Sequence, residues 1–323
     1  MNNNKILVSI IIPVYNVEKY IVKCATTLFE QDFDSIEYVF VNDCTPDNSI
    51  QILQSVIEKY PNRKNDIKII NKPQNEGLGQ ARKTGFQSAT GEYILHIDSD
   101  DWVELDMASS LYKKAKKDDA DIVCCDYFIN FKNKEIYKRI NFDKEDDVLK
   151  AYLLEFIDPY LWTKFVKKSL YKNLIFPKFS LAEDRYVGAQ LFYNAKKVAY
   201  ISHAFVHYNR TNLQSLVSSF GDKQLGEMNM YYNSMIEFLK SKNIYDKYIE
   251  YLRIQLNGNL LTIMNKDYLK NLRKIDDKLV DIDLVIKNPS LSKLQKLSRA
   301  LIFLGFEKVF DNLKRIYRKI KYK

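Results

Sequence analysis

The sequence predicts an α/β fold with a mostly parallel central sheet, followed by a C-terminal helical region. Short apolar runs alternate with amphipathic stretches over the first 125 residues, as when strands and helices are laid down in turn. Turn and cap residues stand between them, and from Asp222 onward the apolar periodicity is helical almost throughout.

Leu7 to Val14 is a continuous apolar run, typical of a strand buried on both faces, and is ended by Pro13 and the polar turn at Asn16. A helix follows from Glu18 to Gln31. Ile36 to Val41 is the next buried strand, and Asn42 to Asp47 supplies turn and cap residues before a helix from Ser49 to Lys59. Ile67 to Asn71 reads as a third strand. Gly77 to Ala89 is a loop and helix, with Gly91 as the stop before strand Tyr93 to Ile97. A helix from Ala108 to Ala120 leads to strand Asp121 to Tyr127, and a less regular charged stretch runs to Asp147.

With 323 residues, 46% hydrophobic and 28% charged, the chain can form one large or two modest domains with a real core, which excludes disordered and fibrous classes. Four cysteines, including the adjacent Cys124 and Cys125 and without Cys-x-x-Cys, fit a reduced cytoplasmic protein without a disulfide frame. Met1 to Lys5 lacks a signal-peptide core, and no window reaches the length of a membrane span. Eight of the nine net positive charges lie in Ser290 to Lys323. The remainder is nearly neutral, which argues against a nucleic-acid partner.

Ligands on such sheets sit at the carboxyl ends of the strands. Asn16, Asp43 and Asp98 to Asp101 all fall there. Asp98, Asp100 and Asp101 crowd three carboxylates into four residues, an arrangement that is unfavourable unless a cation or hydrogen-bond donors offset it. Hard oxygen ligands of this kind suit magnesium or manganese bridging to a diphosphate. The bland alternative is a solvated turn or helix cap.

Four segments carry a family resemblance: Val8 to Asn16 (VSIIIPVYN), Val41 to Asp47 (VNDCTPD), Asn75-Glu76-Gly77 with Ala81-Arg82, and Gly91-Glu92-Tyr93-Ile94 leading to Asp98-Ser99-Asp100-Asp101. In this order and spacing they resemble the inverting glycosyltransferases of family 2, which have the GT-A nucleotide-sugar-binding fold. The resemblance spans roughly residues 5 to 215 and implies a GT-A catalytic domain over 5–217, with a helical region over 218–323. It implies that Pro13 and Tyr15 hold the nucleotide base and that Asp43 bonds it. Arg82 would face the nucleotide-sugar, Asp98 would contact the ribose or metal-bound waters, and Asp100 would be the principal ligand of Mn2+ or Mg2+. Asn42 and Cys44 stand where the family often has Asp and Gly.

Leu181-Ala182-Glu183-Asp184-Arg185, preceded by Leu161-Trp162-Thr163-Lys164, is similar to the Glu-Asp and Trp-Asn-Lys elements of bacterial members. Inversion in one displacement needs a base opposite the leaving group. The resemblance gives that role to Asp184, with Glu183 orienting the acceptor or its loop. The resemblance also places Trp162 and Lys164 near the acceptor; read without it, Glu-Asp is a charged first helical turn, Trp162 a core or stacking residue and Lys164 a surface charge. His203 and His207 are four apart, but no Glu follows His203 and their surroundings look strand-like, so a His-Glu-x-x-His zinc site is excluded. His207, before Tyr208-Asn209-Arg210, is a candidate to approach the metal, against the alternative of a satisfied, partly buried histidine. His96 shares a strand face with Ile94 and packs beneath the site. Gly77 to Arg82 begins like a dinucleotide fingerprint but has Arg82 at the third glycine position, and no P-loop occurs.

From Leu294 to Ile320 apolar residues recur at three- to five-residue steps among Lys and Arg. This describes a basic amphipathic tail with two fates, docking on the catalytic domain or lying on an anionic membrane surface. The expected function is metal-dependent transfer of a single sugar from a nucleotide-diphosphate sugar, with UDP favoured by resemblance, to a glycan or lipid-linked oligosaccharide in surface polysaccharide biosynthesis. The expected location is cytoplasmic, peripheral to the inner face of the membrane in the second case. The alternatives are a sugar nucleotidyltransferase, which would need a glycine-rich basic loop after the first strand, and a non-catalytic nucleotide-sugar or membrane-surface binding protein.

Overall fold

A computed structural model describes residues 5–142, 145–212, 221–263 and 268–306. Among these the chain divides into two compact units. One comprises residues 5–142 and 158–212, the other 145–157 with the residues from 221 onward. The expected boundary at 217/218 and the basic tail beyond 306 lie outside the described residues.

The first unit opens with β1 (Val8–Val14), α1 (Ile21–Phe29), β2 (Ile36–Asn42), α2 (Ser49–Ile57), β3 (Ile67–Asn71), α3 (Leu78–Ser88) and β4 (Tyr93–His96). Strands β3, β2, β1 and β4 lie side by side and parallel, as the alternating apolar runs predict. All seven residues of β1 are buried, which is why its sequence is a continuous apolar run rather than an alternating one. Register decides where the carboxylates emerge. Ile11 pairs with His96 and Val14 with Asn42, so the chain leaves β1, β2 and β4 at one edge, with Asp98 level with Pro13.

The sheet continues through β8 (Lys164–Lys167), antiparallel to β4, and β6 (Ile122–Phe131), antiparallel to β8. It ends in β9 (Val198–Asn209), parallel to β6, and β5 (Trp102–Val103), antiparallel to β9. Between β5 and β6 runs α4 (Met107–Asp118), and α6 (Glu183–Asn194) precedes β9. The charged stretch after Tyr127 is not irregular. β6 runs on to Phe131 and turns through Lys132-Asn133 into β7 (Lys134–Lys138). Lysines on its exposed face mask a hairpin that has no Asn-Gly to announce it.

The core of this unit interleaves sheet and helix residues, among them Ile10, Ile12, Leu28, Phe40, Leu95 and Phe165, all fully buried. Tyr93 stacks on Phe165 with ring centroids 4.7 Å apart. Trp162 lies in this core, stacked on Tyr160 at 4.7 Å. Lys164 overturns its reading as a surface charge. It is 1% exposed, and its ammonium donates to the Asp158 carbonyl at 2.5 Å, the Tyr160 carbonyl at 2.7 Å and Thr163 Oγ1 at 2.6 Å. Three acceptors use all three of its protons, which is the condition for burying an ammonium.

The second unit contains α5 (Val148–Leu153), capped by the Asp147 side chain on the Lys150 amide, and then α7 (Asp222–Ser241), α8 (Tyr245–Ile263), α9 (Tyr268–Ile275), α10 (Ile282–Lys287) and α11 (Lys293–Phe303). Leu154, Ile254 and Leu284 pack together, and Tyr232 donates to Asp276 at 2.8 Å. No helix of the described residues is long and apolar enough to cross a membrane.

Candidate active site

The site is assembled from the loops that leave β1, β2 and β4 and from the start of α6. After β1, Tyr15 is 46% exposed, and Asn16 adopts a left-handed φ of 56° while its amide donates to Thr45 Oγ1 at 2.8 Å. This ties the first loop to the turn after β2. In that turn Cys44 also takes a φ of 56°, a conformation that costs a residue with a Cβ and explains a glycine preference there.

Asp43 is 3% exposed. Its carboxylate accepts from Lys72 Nζ at 2.5 Å, from the Glu76 amide at 3.1 Å and from the Gly77 amide at 2.8 Å. It therefore anchors the Asn75-Glu76-Gly77 loop as well as facing the edge. Gly77 has φ 87°, and a Cβ there would come within 2.6 Å of Ser180 Oγ. This makes glycine a requirement of the close approach between the start of α3 and the loop before α6.

Beyond β4, Asp98 Oδ1 accepts from Arg82 Nη2 at 2.6 Å. The Arg82 guanidinium is 2% exposed, and its other arm forms an ion pair with Glu183, also 2% exposed. Helix α3 thus brings Arg82 between two acids that are 85 residues apart in sequence. Asp184, next on α6, has Oδ1 2.8 Å from the Arg185 amide. Burial holds its carboxyl above the ordinary range, with Arg185 and Arg82 pulling it down and Asp98 pushing it further up. A carboxyl so placed is a better proton acceptor than a solvated one.

Asp100 Oδ2 accepts from Asn212 Nδ2 at 2.8 Å, and the Asp100 carbonyl from Asn209 Nδ2 at 3.1 Å. Burial first and Asp98 second push the Asp100 carboxyl up to about 6. Asp101 is 1% exposed, and its Oδ1 takes the Asn209 amide at 2.7 Å. Burial, then Asp100 and Asp98, hold it well above the carboxylate range. The end of β9 therefore supports the acidic loop through Asn209 and Asn212, which sequence reasoning misses although it singles out His207 beside them.

His207 has its ring nitrogens engaged elsewhere. Nε2 is 2.7 Å from Glu104, Nδ1 is 3.2 Å from both Glu135 and Asn130, and the ring stacks between Trp102 and Phe128 at 5.1 and 4.6 Å. The strand-like surroundings expected for His203 and His207 are those of β9. His96 is buried beneath the site with Nε2 3.0 Å from the Tyr171 hydroxyl, and burial and then Arg82 keep it well below its ordinary pKa, hence neutral. Among the described residues no cluster of three or more His, Cys, Asp or Glu is arranged to hold a metal ion by itself.

A parallel half-sheet with carboxylates at its carboxyl edge, continued by a mixed half in which β8 and β5 run antiparallel to their neighbours, defines a nucleotide-sugar-binding fold of the GT-A class. It superposes on the crystal structure of Staphylococcus aureus TarS 1–349 in complex with UDP-GlcNAc with a TM-score of 0.66 at 20% identity, covering 97% of this chain and 92% of that one. The mannosyltransferase PcManGT of Pyrobaculum calidifontis, in complex with GDP-Man and Mn2+, superposes with a TM-score of 0.54 at 13% identity over 97% and 87% of the two chains. Residues 9–179, just over half of the chain, match glycosyl transferase family 2, and the chain belongs to that family. It is 29% identical over 303 residues to the putative glycosyltransferase EpsH of Bacillus subtilis, covering 88% of this chain and 86% of the relative.

Proposed function

We propose that the protein transfers a single sugar from a UDP-sugar to a hydroxyl of a glycan or lipid-linked oligosaccharide in surface polysaccharide biosynthesis, with inversion at the anomeric carbon. The observation that carries this reading is the convergence of Asp98, Arg82, Glu183 and Asp184. Through Arg82 and Glu183 it brings a donor-side carboxylate near the partly buried Asp184 carboxyl, which is suited to take the acceptor hydroxyl's proton. Pro13, Tyr15 and Asp43 would hold the base, and the UDP-GlcNAc in the TarS structure supports uridine in the donor. The catalytic domain would run over 5–217 and the helical region over 218–323.

Asp100 and Asp98 are the residues that would hold Mn2+ or Mg2+, whose chemistry there is to offset charge on the departing diphosphate. Their fit rests on two hard oxygen donors two residues apart on one loop, with burial and the Asp98 charge pushing the Asp100 carboxyl up so that a cation there would be favoured. Two carboxylates with substrate phosphates suffice for such an ion. The orientation of His207 supports a role in holding β9 against β5. On α11, exposed Leu294 and Leu297 beside exposed Lys293 support a peripheral association with an anionic membrane surface at the cytoplasmic face.

The test is calorimetric binding and hydrolysis of a panel of UDP-, GDP- and dTDP-sugars with and without Mn2+. Metal-dependent binding of a UDP-sugar, lost in Asp100→Ala but kept in Asp184→Asn with turnover abolished, is expected. Binding that ignores both the metal and Asp100 would overturn the assignment.

A further inference from the structure

The two acidic elements of the site belong to different parts of the chain, and what joins them is a buried cation. Arg82 Nη2 lies 2.6 Å from Asp98 Oδ1, and Nη1 pairs with Glu183 Oε1; Arg82 and Glu183 are buried, while Asp98 keeps an exposed side toward the site. A guanidinium suits this task because its planar fork presents donors to two carboxylates at once, which an ammonium on a flexible stem does not. We propose that Arg82 is a positioning residue that couples the donor side of the site to the acceptor side, setting where Asp184 stands by holding Glu183 against Asp98. This rests on the roles given above to Asp98 and Asp184.

The start of α6 needs such a tether. Its N-cap is Ala182, at φ 65° and without a side chain that could cap the helix, so contacts from outside the helix bear on where the turn that carries Glu183 and Asp184 stands. Its support comes from α3. The Leu78 amide donates to Ser180 Oγ at 3.3 Å, and Gln80 Nε2 donates to the Pro177 carbonyl at 2.8 Å. Gly79 lies so close that a Cβ there would be 2.8 Å from the Pro177 carbonyl oxygen. The same N-terminal end of α3 is tied to the turn after β2, because Asp43 accepts from the Glu76 and Gly77 amides.

A continuous polar path thus runs from Asp43 through α3 to Arg82 and on to both acids. Glu183 Oε2 and Arg82 Nε and Nη1 are buried without hydrogen-bond partners among the described residues, so the bridge depends on the Nη2 hydrogen bond to Asp98 and on the charge attraction between Nη1 and Glu183. A guanidinium that instead faced the donor diphosphate would have to leave Asp98 and Glu183, stranding the buried Glu183 carboxylate.

The test compares wild type with Arg82→Met, Arg82→Lys, Glu183→Gln and the Arg82→Met/Glu183→Gln double variant. Amide hydrogen exchange over residues 180–187 is read in ligand-free protein, UDP binding by calorimetry, and kcat and KM for hydrolysis of UDP-GlcNAc, UDP-glucose and UDP-galactose. Arg82→Met and Glu183→Gln are each expected to raise exchange at 180–187 by about tenfold. The kcat of Arg82→Met should fall about 100-fold, while the UDP Kd and sugar-nucleotide KM change by less than about threefold. The double variant should be no worse than Arg82→Met, because both act through one contact, and Arg82→Lys should recover only part of the loss. Weakened UDP binding in Arg82→Met with unchanged exchange at 180–187 would overturn the proposal and place Arg82 on the diphosphate. Should Arg82→Met fail to fold, Glu183→Gln and Arg82→Lys decide by the same two readouts. If wild type neither binds UDP nor hydrolyses any of the sugars, the glycosyltransferase reading of the site falls, whereas the exchange data still decide whether Arg82 holds α6.

Discussion

Replacing Asp100 by asparagine should make the metal-free protein more stable at neutral pH. In the folded chain this carboxyl is pushed up to about 6 from an ordinary 3.8, chiefly by burial and then by Asp98. At 1.36 kcal/mol per pH unit, that gap corresponds to a penalty of about 3 kcal/mol for holding the charged form in the folded state. Residual exposure and relaxation reduce the expected gain to about 1–3 kcal/mol. The asparagine side chain retains an oxygen to accept from Asn212, so little else is lost. Because the folded pKa lies above the unfolded one, the folded state binds more protons between them, and stability from this group falls as pH rises from about 4 to above 6. The advantage of Asp100→Asn should therefore be full at pH 7.5 and mostly gone near pH 4. Urea denaturation in EDTA at the two pH values measures it. Mn2+ at a hundredfold excess over Kd at pH 7.5 should stabilise wild type alone by about 2.7 kcal/mol, which removes most or all of the variant's advantage. A variant no more stable than wild type at pH 7.5, or a gain equal at both pH values, would refute the reasoning that an unneutralised carboxylate sits there.

Lys72→Met should destabilise the first unit by about 3–5 kcal/mol, since it strands the buried Asp43 carboxylate with only two backbone amides. A urea midpoint close to that of wild type would show that the pair is not buried. Gly85→Ala should lower stability by about 1–3 kcal/mol despite the better helix propensity of alanine, because the added Cβ would meet Ile11 Cγ2 and lie 3.3 Å from Val41 Cγ2 under α3. A rise in the urea midpoint would mean that α3 does not pack on β1 and β2 as described.

The parallel half of the sheet is legible because its strands are buried on both faces, and a run as continuously apolar as Val8 to Val14, too short for a helix and closed by a turn, suits little else. The β6–β7 hairpin is not, since alternating lysines and a Lys132-Asn133 turn look like a charged loop. Lys164 defeats a sequence reading because lysine is almost never fully buried, and the acceptors that permit it are two backbone carbonyls and its neighbour Thr163, which composition does not reveal. The acids of the site can be read because each follows a strand or opens a helix. Their partners cannot. Asn209 is 108 residues from Asp101, and Lys72 is 29 from Asp43. No local spacing encodes such pairs, which follow only from the register that brings β9 beside the acidic loop and β3 beside β2.

The same long-range pairing explains why the site is acidic yet suited to an anionic donor. Burial holds Asp100, Asp101 and Asp184 above the carboxylate range, and the Arg82 guanidinium is already taken up by Asp98 and Glu183. A diphosphate entering this edge alone would add negative charge to carboxylates that lack a cation, and each would weaken the other. Asp100 and Asp98 are the residues that would hold a divalent ion there, and such an ion would offset both the mutual repulsion of the carboxylates and the charge of a diphosphate. On the proposed function, donor and ion would then be linked thermodynamically, each raising the affinity for the other by the same factor. The strain on the acidic loop comes from burial and from the acids' mutual repulsion, and the hydrogen bonds from Asn212 to Asp100 and from the Asn209 amide to Asp101 relieve it only in part, which leaves a cation something to offset.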